Sequence, residues 1–126
     1  MAVNGDGRRE WTYSEDVGKI DDEGDVYLRY QHAEDGSIQL MLASLDDAGL
    51  EIRELDEGEI AAVMGGSYEK VTTVATEHLA ALGAALGVSS GEGLIAHLAT
   101  SWSGTMSWRL VAAIESSGVP YEQDHW

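Results

Sequence analysis

The chain contains no cysteine. That excludes disulfides and thiolate metal sites, and it suits a reducing compartment such as the cytosol. Basic residues are scarce: 7 Lys and Arg stand against 23 Asp and Glu, which leaves a net charge of −16 over 126 residues. A field of that sign repels DNA, RNA and anionic membrane surfaces, so neither nucleic acid nor membrane is expected as a partner. No uninterrupted apolar run has the length of a transmembrane helix. The opening stretch "MAVNGDGRRE" lacks the apolar segment of a signal peptide. A cytoplasmic location is the expectation from these absences taken together. Proline occurs once, at Pro120, where it marks the end of the helical part of the chain.

What is present is enough for one ordinary core. Hydrophobic residues make up 44 % of the chain, and its length fits a single domain. Residues 1–10 read as a flexible tail and 11–126 as one α+β domain. The acidity is uneven: Met1–Ile60 holds most of the acidic residues and Ala61–Trp126 few. Such a charge attracts basic partners and speeds association with them. The alternative reading is solubility alone, or adaptation to high salt.

Periodicity separates the two halves. "EWTYS" (Glu10–Ser14) has the alternation of a short strand. "DVYLRYQH" (Asp25–His32) alternates with Val26, Leu28 and Tyr30 on one side and Tyr27, Arg29 and Gln31 on the other. Asp35-Gly36 is a hairpin signal. "IQLMLAS" (Ile38–Ser44) puts Ile38, Leu40 and Leu42 together, and "LEIREL" (Leu50–Leu55) puts Leu50 with Ile52. The expectation is an antiparallel meander with one apolar and one polar face. "LDEGEIAAVMGG" then reads as a short helix from Asp56 ended by Gly65 and Gly66. Ser67 is placed to cap a long helix whose stripe is Tyr68, Val71, Val74, Ala75, His78, Leu79, Leu82 and Leu86. "SSGE" (Ser89–Glu92) fits a capping box for a second helix carrying Leu94, Ile95, Leu98 and Trp102. A third starts at Ser103 or Thr105 and stops at Gly118 and Pro120. The fold expected is α+β: a meander of three to four strands, then three to four helices on one face, then a short extended C-terminal segment that docks as an edge strand.

Motifs for catalysis are missing. There is no H-E-x-x-H and no G-x-S-x-G, and Lys70 stands at the wrong spacing after Gly65-Gly66 for a phosphate loop. Asp21, Asp22, Glu23 and Asp25 superficially suggest a calcium loop, but the position that needs a closing Glu is His32. His78 lies within the apolar stripe and reads as a hydrogen-bonded core histidine, with a ligand or base as the alternative. His125 with Glu122 and Asp124 reads as an exposed tail, with a weak metal cluster as the alternative. No catalytic residue, metal or cofactor is assigned.

What remains is a surface. Acidic side chains pair with Lys and Arg, and tyrosine adds rigid contact area. The residues expected to meet a basic protein are Asp21, Asp22, Glu23, Asp25, Tyr27, Arg29, Glu34, Asp35, Asp46, Asp47, Glu51 and Arg53, with an ordinary solvated sheet face as the alternative.

The hairpin "VYLRYQHAEDGSIQLML", the acidic run "LDEGEI" leading into helices, and the ending "AAIESSGVPYEQDHW" together resemble the small acidic immunity proteins of bacterial polymorphic and contact-dependent toxin systems. The resemblance implies a non-enzymatic inhibitor that binds a cognate toxin domain, often a nuclease, in the cytoplasm. Two other readings stay open. One is an acidic nucleic-acid mimic or regulatory adaptor. The other is a small ligand-binding domain or enzyme, which would show a concave pocket with perturbed titrating groups, His78 or His97 among them.

Overall fold

In the computed structural model, which describes residues 11–33, 36–57, 68–89 and 91–125, the chain forms one six-stranded antiparallel sheet in sequential order. The strands are β1 (Trp11–Tyr13), β2 (Val26–Ala33), β3 (Ile38–Asp46), β4 (Gly49–Glu57), β5 (Tyr68–Ala75) and β6 (Glu122–His125). Between β5 and β6 run three short helices: α1 (Leu79–Leu86), α2 (Leu94–Ser101) and α3 (Ser107–Ser116). Single 3-10 turns at Thr76–His78 and Gly104–Met106 precede α1 and α3.

The architecture is α+β with its helices on one sheet face, but the expected balance is overturned. The sheet has six strands rather than three or four, and the helices are shorter than the periodicity implied. The largest correction is Tyr68–Ala75, expected as the first half of a long helix and found as β5, paired with β4 from Gly49↔Ala75 to Asp56↔Tyr68. Val71, Thr72, Thr73 and Val74 are all β-branched. Such side chains lose rotamer freedom in a helix and pack well on a pleated surface. With a preformed hairpin edge beside them, the strand wins. β4 also continues to Glu57, where a helix from Asp56 was expected. The rest of that expected helix, residues 58–66, lies outside the described residues, as do the expected cap Ser67, the expected tail 1–10, Glu34, Asp35 and Trp126.

Half of the expected capping box forms at Ser89–Glu92, but it does not cap α2. Gly93 is the N-cap of α2 and gives no side-chain cap, while the Glu92 carboxylate accepts a hydrogen bond from the Ser89 amide at 3.1 Å. The helix stop at Gly118 and the terminal edge strand are found as expected, β6 pairing with β5 from Lys70↔His125 to Thr73↔Glu122.

The core lies between the sheet and the helices. Val26, Leu28, Met41, Ala43, Leu50, Ile52 and Val74 from the sheet meet Leu82, Leu86, Ile95, Leu98, Leu110, Ile114 and Val119. On α3 the buried residues Ser107, Leu110, Val111 and Ile114 recur at the three- and four-residue spacing of one helix face. α1 and α2 are clamped by His97, which is 8 % exposed. Its Nε2 lies 2.8 Å from the Leu86 carbonyl at the C-terminus of α1, and its Nδ1 lies 2.9 Å from Glu92 Oε1. Trp102 Nε1 donates to the same Leu86 carbonyl at 3.4 Å, so this helix end is satisfied by side chains of the next helix rather than by water.

Candidate functional site

A bulge in β2 decides which side chains face outward. Opposite Met41 of β3 the strand places two residues, and the register shifts between Tyr27 and Arg29. Leu28 joins the core, and Arg29 also points to the helices, where its Nε donates to Ser107 Oγ at 3.0 Å. Such a two-against-one bulge reverses the alternation beyond it. Val26, Leu28, Arg29, Gln31 and Ala33 are buried, while Tyr27, Tyr30 and His32 fall on the other side.

The register then defines that other face row by row. One row runs Tyr27, Leu42, Arg53, Val71, Asp124, and the next runs Tyr30, Leu40, Leu55, Glu69. A third holds His32, Ile38 and Glu57, and a fourth Ser44, Glu51, Thr73 and Glu122. Among the described residues no helix packs on this side. Ile38, Leu40 and Leu42, expected to build the core, therefore stand on the open face. The core side of β3 is Gln39, Met41 and Ala43.

The open face has an apolar centre and a charged rim. Tyr27 and Tyr30 sit with ring centroids 5.2 Å apart at a 58° tilt, a favourable aromatic arrangement. Beside them lie Ile38, Leu40, Leu42 and Leu55, all partly exposed. Arg53 is held between two carboxylates, Glu69 at 2.9 Å and Glu51 at 3.3 Å. At one end of the sheet the β1–β2 loop adds its own acidity. Asp21 Oδ1 accepts from the amides of Glu23 and Asp25, which folds the loop on itself. Burial, then Asp21, then Glu51 push the Asp25 carboxyl above its ordinary range, so the loop and the open face share one negative field. Asp46 and Asp47 turn the β3–β4 hairpin at the same end, where Asp46 Oδ1 accepts from Ala48 and Gly49.

Of the twelve residues expected to meet a partner, the structure brings Asp25, Tyr27, Glu51 and Arg53 to the open face or its rim, with Asp21, Asp22 and Glu23 in the β1–β2 loop and Asp46 and Asp47 in the β3–β4 turn at the same end of the sheet. Arg29 does not belong there. It is 4 % exposed beneath α3, with Trp108 stacked 3.4 Å from its guanidinium carbon. Gln31, expected beside Tyr27 and Arg29 on the outer face, also lies on the helix side, joined to Gln39 by a 2.7 Å hydrogen bond. Tyr30, Leu40, Leu42, Leu55 and Glu69 were missed. One signal for them was present: β3 is apolar on both faces, the pattern of a strand with something to bury on each side.

The helix side carries its own charged row, Arg29, Met41, Glu54, Lys70 and His125. Burial lowers the Arg29 pKa, against the pull of Glu54 and Asp56. Burial likewise raises Glu54 and Asp56, although Arg29 opposes both shifts and Lys70 opposes that of Glu54. His97 is engaged at both ring nitrogens, and His78 is a partly exposed side chain 3.9 Å from Glu77. Strand alternation puts His125 on the opposite face from Glu122 and Asp124, and among the described residues no three such side chains gather as a metal set. None of the helices among the described residues is long and apolar enough to cross a membrane.

The chain matches no protein-family model, no curated protein and no solved structure.

Proposed function

We propose that this protein is a non-enzymatic inhibitor of the immunity type, which acts in the cytoplasm by docking a basic toxin domain on the open face of its sheet. The observation that carries the reading is the apolar, two-tyrosine centre ringed by carboxylates on a face that no described element covers. Interfaces concentrate aromatic and aliphatic anchors at a centre that excludes water and keep charge at the rim. Tyr27, Tyr30, Leu40 and Leu42 are the anchors. Asp25, Glu51, Glu69 and Asp124 meet Lys and Arg of the partner, and Arg53 holds Glu51 and Glu69 in place. The net charge of −16 steers a basic partner toward this surface before contact.

The test is to recover the basic toxin domain from the producing cells and to measure its inhibition and binding kinetics with wild-type protein and two surface variants. Leu40→Asp weakens binding by about 30-fold or more, the scale of losing one interface anchor. Glu69→Lys lowers the association rate, most strongly at low salt. A toxin inhibited equally by the Leu40→Asp protein would overturn the choice of face. Binding without loss of toxin activity would overturn the inhibitor reading.

A further inference from the structure

Arg29 is at odds with its surroundings. A charged side chain this deeply buried is ordinarily paired with an opposite charge. Its hydrogen-bond partners are all neutral: Ser107 Oγ accepts from Nε at 3.0 Å, the Ser107 carbonyl from Nη2 at 3.3 Å, and Met41 Sδ lies 3.9 Å from Nη2. No carboxylate among the described residues forms an ion pair with it, and Nη1 has no described partner. Glu54 and Asp56 act on it only at longer range.

The guanidinium is nonetheless held in one pose. Ser107 is fully buried, and its hydroxyl donates to the Gly104 carbonyl at 2.6 Å, which leaves its lone pairs for Arg29. The Trp108 ring covers one face of the guanidinium. A cation fixed this way, with no described partner at Nη1, is preorganised for an incoming acceptor.

A cavity of about 280 Å³ lies against it, lined by Arg29, Tyr13, Val17, Tyr30, Thr105 and Trp108 among others. Two of its aromatic walls are largely exposed, Tyr13 at 68 % and Trp108 at 53 %. An apolar cavity of roughly 150 Å³ already takes one benzene, so this one has room for a two-ring body with a polar group attached. Arg29 is the sole cation among the described lining residues. That favours a monoanion over a phosphate, whose recognition calls for several donors or cations.

We propose that this cavity binds a small carboxylic acid with a flat apolar body, the ring lying against Tyr13 and Trp108 and the carboxylate accepting from Arg29. The cavity shares Tyr30 with the open sheet face, but the proposal rests on Arg29 and does not depend on the inhibitor reading.

The test titrates the full chain with indole-3-carboxylate and with indole-3-carboxamide. Calorimetry gives the affinities, and the indole N–H resonance of Trp108 locates the site. The acid binds about tenfold or more tightly than the amide, the usual gain from an ionised acceptor. Arg29→Met removes that preference, and Thr105→Trp, a plug at an exposed position, removes binding of both. Equal affinity for acid and amide overturns the proposal, as does the absence of saturable binding at millimolar concentration. Undiminished acid binding by the Thr105→Trp protein overturns it as well, and this holds even where Arg29→Met fails to fold.

Discussion

Neighbouring residues of β3 have opposite roles in this fold, and substituting them tests the placement of the whole sheet. Met41 is 1 % exposed and sits in the core. Its truncation to alanine removes buried methylenes and leaves a cavity, which costs about 2–5 kcal/mol. Leu40 is only partly buried, on the open face. Complete burial of such a side chain contributes about 1.5–3 kcal/mol, so losing a fraction of it costs about 1 kcal/mol or less. Total stability of a domain is on the order of 5–15 kcal/mol. For this size 1 kcal/mol corresponds to about 3–6 °C. Met41→Ala should therefore lower the melting temperature by about 10–20 °C and Leu40→Ala by about 5 °C or less. The contrast sharpens with charge: Met41→Asp buries a carboxylate and unfolds the protein, whereas Leu40→Asp leaves a folded domain. Urea unfolding with an unchanged denaturant slope measures both pairs. If Leu40→Asp unfolds the chain as completely as Met41→Asp, the face assigned as open is covered, and both the bulge argument and the docking surface fail. A folded Leu40→Asp protein is also what makes its binding defect interpretable.

Two further outcomes follow from the same geometry. Gly49 opens β4 at a φ of +136°, and a Cβ there would stand 2.1 Å from the Val74 carbonyl oxygen, so Gly49→Ala should destabilise by more than about 1–3 kcal/mol, the scale of a single strained backbone conformation, and a urea midpoint equal to wild type would refute the close approach of β4 and β5. Burial raises the Glu54 and Asp56 carboxyls above their usual values of 4.5 and 3.8, so the folded state holds their protons more tightly than the unfolded state. Their contribution is then most favourable at low pH and is lost as pH rises from the ordinary carboxylate range through the raised values. Glu54→Gln should flatten that part of the stability profile and raise stability near neutrality, measured as urea midpoints across pH; a profile identical to wild type would refute the assignment.

The residues themselves determined several features. The β2, β3 and β4 runs are strands because they alternate around turn residues, α3 shows its helix spacing plainly, and Gly118 with Pro120 ends it. The acid-rich first half sets the field that any partner meets. Local pattern failed where two periods fitted the same residues. Val71, Val74, His78 and Leu82 satisfy a helical stripe, yet β5 forms because its β-branched side chains complete an existing sheet edge and only Leu79–Leu86 remains helical. The orientation of the sheet was still less legible. One extra residue at Leu28–Arg29 reverses everything after it in β2, and nothing in "DVYLRYQH" announces a bulge. With that reversal Arg29 passes from an exposed face to a buried place under Trp108, and Tyr30, Leu40 and Leu42 assemble outside. Composition thus determined that the protein is acidic, and periodicity that it is α+β. Tertiary packing decided which side chains it presents, because the place of Arg29 beneath α3 depends on contacts more than seventy residues away along the chain.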